Sequence, residues 1–229
     1  MKRFWSEVSV DAERVVRLDD RPVRTPGRVP LALPTDALSE AAAAEWRAVG
    51  ETLDPRAMPL TGLANAAIDR IAPDRAAFAA GLAKYGESDL LYYRADDPEP
   101  LVERQRAAWD PLLAWARERY DIHFEVTAGV MHRAQPPATL ARLGEAVASR
   151  DAWRLAGLSP VVTVTGSLIA ALALDEDAAD ADAVWSASDV DEAWQRELWG
   201  EDPLATEARE GRRCEFDAGV RFLAALRRD

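Results

Sequence analysis

The sequence predicts an α+β protein, in which a small N-terminal antiparallel β-rich domain precedes a larger α-helical bundle. Residues 4–33 are rich in Val, Arg and Pro, and short β-type runs alternate there with turn signals. From Leu60 onward, apolar residues recur with the helical period instead. We therefore expect a β-rich domain over residues 1–34, or 1–59 with the following helix included, and a helical domain over residues 60–229.

Three short runs in the first domain predict a β-meander, over residues 4–10, 14–18 and 29–33. The stretch Asp19-Asp20-Arg21-Pro22 predicts the turn between the second run and the third. Thr35 predicts the N-cap of an Ala-rich helix that ends at about Val49, because its hydroxyl can accept from the first free backbone N–H groups.

Periodicity and proline positions predict the elements of the second domain. They are helices that begin at Leu60, Pro73, Leu101, Pro137 and Pro203, the last of them ending at Arg228, and a lone strand over residues 122–126. The apolar stretch 158–174 is ambiguous, since its β-branched residues 161–165 favour a strand. Its length and its Ala/Leu-rich second half favour a buried helix that begins at Ser159-Pro160, with Ser167 bonding the backbone or capping a turn.

Composition and charge exclude several classes of partner. The chain has 229 residues with 40 acidic and 28 basic side chains, a net charge of −12, which disfavours nucleic acid and anionic membrane surfaces. The apolar stretch 158–174 is shorter than a bilayer span, and the first residues contain no apolar signal segment. One cysteine and two histidines are too few for a closed His/Cys zinc site. We therefore expect a cytoplasmic protein without a metal or cofactor, although the many acidic residues leave a carboxylate-only metal site open, for which no spacing is evident.

No catalytic constellation stands out in the sequence. It contains no G-x-S-x-G elbow, no phosphate-binding P-loop and no G-x-G-x-x-G run. Cys214, between Arg213 and Glu215, is expected to be a small, semi-buried helix residue rather than a nucleophile. A binding protein is favoured over an enzyme. The alternatives are a small cytosolic hydrolase that uses Cys214 or a carboxylate pair, and a stable adaptor in a larger complex.

The segment 175–202 is unusual, with eleven acidic residues against the single basic residue Arg196. Within it, Val190, Trp194 and Leu198 recur at every fourth position and are expected to point inward. Most of the net negative charge of the protein lies in this segment, so we expect a surface that attracts basic groups.

A second face of the same predicted helix carries Glu192, Gln195 and Trp199. It combines an acid, an amide and an indole, a set that suits docking of a basic or amide-rich protein surface. The alternative is a solvated helix face on which Trp199 makes a packing contact at the C-terminal end.

Short motifs in a fixed order run along nearly the whole chain. They are Arg3-Phe4-Trp5, Leu18-Asp19-Asp20-Arg21-Pro22-Val23-Arg24-Thr25-Pro26, Glu45-Trp46, Met58-Pro59-Leu60-Thr61, Ser88-Asp89-Leu90-Leu91-Tyr92-Tyr93-Arg94, Trp109-Asp110-Pro111-Leu112-Leu113, Ser167-Leu168-Ile169-Ala170-Ala171-Leu172-Ala173-Leu174, and the set Glu192, Gln195, Trp199-Gly200. In this combination the chain resembles the assembly chaperones of F-type ATP synthase that bind the α subunit of the catalytic head.

The resemblance implies a β-rich domain followed by an orthogonal helical bundle. It implies a non-enzymatic chaperone that covers apolar surface of the unassembled α subunit until the β subunit displaces it. Such surface would otherwise aggregate. Neither a nucleotide nor another cofactor is implied. We expect a monomer, and the first residues, which lack a leader, favour a bacterial cytoplasmic member over an imported organellar one.

The resemblance also implies which residues contact the client. Glu192, Gln195 and Trp199 match the acidic-helix motif of the family, Trp46 its Glu-Trp motif and Asp89 its Asp-Leu-Leu motif. We expect Glu192 to be exposed and functional, whereas Trp46, like Trp109, is expected to be mainly structural.

Overall fold

The computed structural model describes residues 1–129 and 131–227. Its strands are β1 (Val8–Val10), β2 (Val16–Leu18), β3 (Arg21–Pro22), β4 (Tyr93–Arg94) and β5 (Thr127–Ala128). Its helices are α1 (Asp36–Ala48), α2 (Pro59–Ala66), α3 (Arg75–Ala83), α4 (Glu99–Tyr120), α5 (Pro137–Ala148), α6 (Ala152–Thr165), α7 (Leu168–Asp175), α8 (Ala181–Ser188), α9 (Val190–Trp199) and α10 (Pro203–Ala225). Short 3₁₀ turns lie at Pro55–Ala57, Ala72–Asp74, Lys84–Glu87 and Leu90–Tyr92, and a π-turn at Ala67–Ile71. A small N-terminal antiparallel sheet thus precedes a mostly helical chain, and the predicted α+β class is confirmed.

The chain forms two compact units. Unit 1 comprises Met1–Phe78, Arg150–Gly157 and Asp217–Asp229, and unit 2 comprises Ala79–Ser149 and Leu158–Phe216. The domain division after residue 34 or residue 59 stays a prediction, since a compact unit is not by itself an independently folding domain. None of the described helices is long and apolar enough to cross a membrane.

The predicted meander forms, but its third strand is not the predicted one. β1, β2 and β3 pair in antiparallel order, and β3 lies at Arg21–Pro22, inside the predicted turn. Residues 29–33 contribute only the isolated bridges of Pro30 to Arg24 and of Ala32 to Val15. Proline lacks the N–H group that a strand ladder needs, so Pro30 keeps this run from forming a regular strand.

Helix α1 begins as the sequence predicts. The Thr35 hydroxyl accepts from the Leu38 N–H at 3.2 Å, so Thr35 is the N-cap. The same hydroxyl donates to the Ala225 carbonyl at 2.8 Å, which joins the start of α1 to the end of α10 within unit 1. That end differs slightly from the prediction, because α10 stops at Ala225 and Arg228 lies outside the described residues.

The core of unit 1 includes a close approach to Gly157 in α6. A Cβ built on Gly157 would lie 2.9 Å from two atoms of the Leu223 side chain and 3.1 Å from Phe222. Phe222 is itself fully buried and stacks on Trp153, with ring centroids 6.4 Å apart. The absence of a side chain at Gly157 therefore sets the distance between α6 and the end of α10.

We expect Gly157→Ala to lower the free energy of unfolding by about 1–3 kcal/mol, because the added methyl group overpacks a filled core. The matched control is Gly81→Ala in α3, where no atom lies within 4 Å of the added Cβ. Alanine there is expected to stabilise by about 0.5–1 kcal/mol through its helix propensity. Urea denaturation of both variants measures the two effects, and equal changes would contradict the packing argument.

The core of unit 2 is built around the apolar helix α7, all of whose residues are buried. Trp109 of α4 is 1% exposed, and its indole N–H donates to the Ala187 carbonyl at 2.7 Å. Phe216 is fully buried against Trp185, with ring centroids 5.5 Å apart. The contacts of Trp109 are therefore structural, as expected.

The apolar stretch 158–174 is helical, but it is not one helix. α6 begins at Ala152, after Asp151 accepts from the Arg154 N–H at 2.8 Å, so Pro160 lies inside the helix and not at its start. The chain then breaks at Gly166, whose φ is +65°. Ser167 begins α7 and its hydroxyl accepts from the Ala170 N–H at 3.0 Å, which confirms its capping role.

The predicted strand over residues 122–126 is wrong. The structure has β5 directly after it, at Thr127–Ala128, parallel to β4. Side chains occupy the backbone groups that a neighbouring strand would bind. The amide of Gln135 bonds both the N–H and the carbonyl of Glu125, at 3.0 and 2.8 Å, and Thr139 donates to the His123 carbonyl at 2.6 Å.

Candidate functional site

A groove of about 560 Å³ lies between α9 and α10 in unit 2. Its lining includes the three residues that the sequence placed on the second face of α9, namely Glu192, Gln195 and Trp199. All three are exposed, as expected for Glu192, and the Trp199 side chain is 77% exposed. The structure therefore brings these three candidate residues together along one wall of a concave surface.

The connection between the two helices requires a glycine. Gly200 ends α9 with a φ of +82°, a conformation that side-chain-bearing residues rarely adopt. The Asp202 carboxylate then accepts from the Ala205 N–H at 2.9 Å and caps α10. These two residues fix the corner at which the groove opens.

Large apolar side chains are exposed at this corner. Leu198, Trp199 and Leu204 are 55%, 77% and 76% exposed. We call these three residues the apolar corner. The expectation that Leu198 points inward is wrong, because α9 contains no buried residue and Leu198 lies in its last turn, beside the exposed connection. Of the inward set, Val190 and Trp194 are partly buried, and Trp194 lies under the Arg104 guanidinium at 4.9 Å.

The other wall of the groove carries arginines that the sequence analysis did not identify. Arg212 of α10 forms an ion pair with Glu192 across the groove. Arg209 bonds the Asp189 carboxylate through Nε and Nη2, at 3.1 and 3.0 Å, and Arg196 reaches the same carboxylate at 2.7 Å. The run Arg209-Glu210-Gly211-Arg212-Arg213 was the available signal for this wall.

These pairs change the electrostatics that the sequence predicts. Burial opposes ionisation of Asp189, but the hydrogen bonds from Arg196 and Arg209 outweigh it and lower the pKa of this carboxyl group. Glu197 forms a bidentate pair with Arg104, at 2.6 and 2.7 Å, and the pKa of Glu197 is lowered by that bond. Much of the acidic segment is therefore neutralised by arginines of the same unit.

Two acidic residues of the groove have no such partner. In the described part of the chain, no Lys or Arg lies within ion-pair distance of Glu201 or Asp202, and both line the groove. The groove thus combines the exposed Trp199, a paired carboxylate at Glu192 and two carboxylates without an ion-pair partner in the described ranges, and Leu198 and Leu204 lie beside it in the sequence. Such a surface suits a partner segment that presents an apolar residue beside a cation or an amide.

Asp89 is not part of this groove. It is 0% exposed, and its carboxylate accepts from the Leu91 N–H at 3.1 Å and the Ile169 N–H at 3.0 Å. Burial raises the pKa of Asp89 to about 6, and the hydrogen bonds with Ile169, Ser167 and other groups oppose that rise. From this buried position Asp89 stabilises the start of α7.

Trp46 lies in unit 1 and is 8% exposed. It packs edge-on against Trp5, with ring centroids 5.4 Å apart. Beside it, the Glu45 carboxylate accepts from the Leu60 and Thr61 N–H groups, both at 2.8 Å, and so caps α2. A direct client contact by Asp89 or Trp46 stays a prediction, since both side chains face the interior.

The described residues do not join Cys214, one candidate nucleophile of the enzyme alternative, to a histidine. Cys214 is exposed on α10 and not semi-buried as expected. His132 bonds the Tyr93 hydroxyl at 3.1 Å, and within the described ranges no hydrogen bond joins Cys214 to a histidine. The same ranges contain no group of three or more His, Cys, Asp or Glu that could hold a metal ion.

Comparisons with known proteins agree on one family. The ATP12 chaperone protein family matches residues 2–117. The crystal structure of Atp12 from Paracoccus denitrificans and the solved structure of an Asp-to-Lys mutant of that protein are each 43% identical to this chain, with TM-scores of 0.91 and 0.92, respectively. The alignment covers 98% of this chain in both cases and 98% and 97% of the respective relatives. The Atu1473 protein of Agrobacterium tumefaciens, described as a candidate chaperone, is 39% identical with a TM-score of 0.92, over 98% of this chain and 86% of that one.

Proposed function

Because this chain belongs to the ATP12 family of ATP synthase assembly chaperones, we propose that it binds the unassembled α subunit of the F-type head. In this proposal the chain keeps the α subunit from aggregating until the β subunit displaces it. It acts as a monomer in the bacterial cytoplasm, by binding and not by catalysis. The exposed thiol of the only cysteine, Cys214, is consistent with a reducing compartment.

The apolar corner is the observation that supports this proposal most directly. Leu198, Trp199 and Leu204 expose large apolar side chains within seven residues, beside a groove with polar walls. Neighbouring exposed apolar side chains are typical of interaction sites, and Trp is enriched among the residues that dominate binding energies. We assign the client contact to this corner and to Glu192 and Gln195.

The physical task of such a chaperone is modest. An unassembled subunit exposes apolar surface that later pairs with its neighbour, and that surface drives aggregation. A reversible binder lowers the concentration of free, aggregation-prone subunit by mass action. No nucleotide is required, because the β subunit can displace the chaperone through a larger interface.

We expect this protein to suppress aggregation of the isolated ATP synthase α subunit diluted from denaturant, at close to one-to-one stoichiometry and without ATP. Light scattering measures the effect. The β subunit and an unrelated aggregating protein serve as controls and are expected to stay unprotected. No suppression, or equal protection of all three proteins, would refute the proposal.

The same proteins test whether the chaperone acts as a monomer and whether the β subunit displaces it from the α subunit. Size-exclusion chromatography with light scattering is expected to show a one-to-one complex with the α subunit. Added native β subunit is expected to release the chaperone from it. A complex that survives excess β would favour the stable adaptor over the chaperone.

A further inference from the structure

A loop in unit 1 is exposed yet tightly held. Residues 26–30 are all exposed, and they form the tip of a hairpin in which Thr25 and Val29 bond each other at 2.8 Å. The turn closes with the Arg28 N–H bonding the Thr25 carbonyl at 2.8 Å. The Arg24 guanidinium donates to the Arg28 carbonyl, also at 2.8 Å. We call residues 24–30 the arginine loop.

Asp69 lies in the π-turn after α2, and its carboxylate holds this loop in place. One carboxylate oxygen accepts from the Thr25 hydroxyl and the other from the Gly27 N–H, both at 2.8 Å. The approach is so close that a Cβ on Gly27 would lie 2.6 Å from the Asp69 Oδ1 atom. A loop held at both a side chain and the backbone has little conformational entropy left to lose on binding.

The backbone of the loop is strained at a charged residue. Arg28 has a φ of +66°, a backbone conformation that glycine adopts without strain. An arginine there raises the conformational free energy by about 1 kcal/mol. Its side chain is exposed, so packing does not repay this strain. Strained positions of this kind are concentrated at binding and active sites, where the rest of the structure holds them in place.

The arginines of this loop have no ion-pair partner in the described part of the chain. Among the described residues, no carboxylate lies within ion-pair distance of Arg21, Arg24 or Arg28. Other arginines are paired with acids, among them Arg17 and Arg47 in unit 1 and Arg104 and Arg209 in unit 2. The arginine loop therefore carries two arginines without an ion-pair partner among the described residues, in a protein of net charge −12.

The two units also differ strongly in charge. Unit 1 contains 16 basic and 15 acidic residues, whereas unit 2 contains 12 and 25. A nucleic acid or other polyanion would be repelled by the net charge of the whole protein. A folded protein that presents a local cluster of carboxylates would be attracted to the loop without that penalty over its full length.

We propose that the arginine loop is a second contact surface for the client, and that it binds a carboxylate-bearing patch on the folded surface of the α subunit. This inference rests on the proposed function and adds to it. The groove between α9 and α10 offers the exposed Trp199 and the carboxylates of Glu201 and Asp202, which have no ion-pair partner among the described residues, and the loop offers the opposite charge. Contacts of opposite sign on one client give orientation as well as affinity.

We expect the double variant Arg24→Glu/Arg28→Glu to bind the α subunit about tenfold or more weakly, since two favourable charge contacts become repulsive. The matched control is Arg56→Glu/Arg221→Glu, which makes the same charge change at two exposed positions of unit 1. It is expected to change the Kd less than about threefold, the effect of net charge alone. Biolayer interferometry on immobilised α subunit measures both Kd values, and circular dichroism confirms that both variants fold.

A second variant tests whether the fixed loop conformation matters. Asp69→Asn keeps the side-chain volume and both arginines but replaces one of the two acceptor oxygens with a donor. It is expected to weaken binding severalfold and to leave the salt dependence of binding in place. Raising the salt from about 50 to 500 mM is expected to remove most of the difference between the wild type and the double variant.

The outcomes separate this inference from the proposed function. If the wild type binds the α subunit and both double variants bind equally, the loop inference is overturned and the proposed function stands. If the wild type does not bind the α subunit, both fail. Tighter binding of a single-stranded oligonucleotide than of the α subunit, lost in Arg24→Glu/Arg28→Glu, would assign the loop to nucleic acid and overturn the inference as well.

Discussion

Replacing Asp89 by alanine is expected to lower the free energy of unfolding by about 3 kcal/mol or more. The change removes the acceptor of two buried N–H groups, those of Leu91 and Ile169. An unpaired buried donor costs about 1–3 kcal/mol, and Leu91 and Ile169 are only 1% and 0% exposed. Urea denaturation measures the effect. If Asp89→Ala does not yield a folded protein, the milder Asp89→Asn, which keeps one acceptor oxygen, gives the same direction with a smaller loss.

The ionisation of Asp89 makes a separate and signed contribution to this stability. Its pKa is raised from 3.8 to about 6 in the folded protein, chiefly by burial. Between these two pH values the folded state holds a proton that the unfolded state has released, so this contribution to the free energy of unfolding falls as pH rises. It is fully present below pH 3.8 and is lost above about 6.

The Asp89→Asn variant has no proton to lose at this position. The other 39 acidic residues titrate in both proteins, so the difference between their unfolding free energies isolates Asp89. That difference is expected to shift against the wild type between about pH 4 and pH 7. Parallel pH profiles would show that Asp89 ionises normally and that the buried site is more hydrated than its contacts indicate.

The elements predicted well are those whose signal is local. Thr35 and Ser167 are hydroxyl residues that directly precede helices, and both cap as expected. The α+β class follows from a change of period that extends over many residues of the chain. The errors arise where distant residues decide. The failed strand at 122–126 is prevented by the Gln135 and Thr139 side chains, which no pattern within the segment reveals.

The candidate site shows the same division. Helical spacing placed Glu192, Gln195 and Trp199 on one exposed face, which the structure contains. It placed Leu198 inward, because spacing alone does not say where the core ends along a helix. The count of charges also predicted a negative surface along the acidic segment. Arginines from other helices pair with some of these acids, as Arg212 of α10 does with Glu192. Charge counted along a sequence therefore overstates the field at a folded surface.

Glu192→Lys is expected to weaken binding of the α subunit by tenfold or more while leaving the melting temperature nearly unchanged. The carboxylate lies on the groove wall and its pair with Arg212 is exposed, so losing that pair costs the fold only about 0–1 kcal/mol. A lysine there would meet a cation of the client with the wrong sign. Biolayer interferometry and thermal denaturation measure the two effects. Unfolding of the variant would show that Glu192 serves the fold.

The matched control for this change is Glu197→Lys. Glu197 lies on the same helix and is also paired with an arginine, Arg104, but it does not line the groove. The two substitutions change the net charge equally, so a loss confined to Glu192→Lys belongs to the groove and not to the field of the whole protein.

Exchanging the two charges across the groove tests whether the ion pair only stabilises the groove or whether the client contacts the carboxylate itself. The double variant Glu192→Arg/Arg212→Glu restores an ion pair between α9 and α10 with the opposite polarity. If the pair only braces the groove, the exchanged protein binds the α subunit as the wild type does. If the client contacts the carboxylate at Glu192, the exchanged protein still binds weakly, although its ion pair is restored. We expect the second result, because the client contact proposed for this face depends on where the negative charge lies.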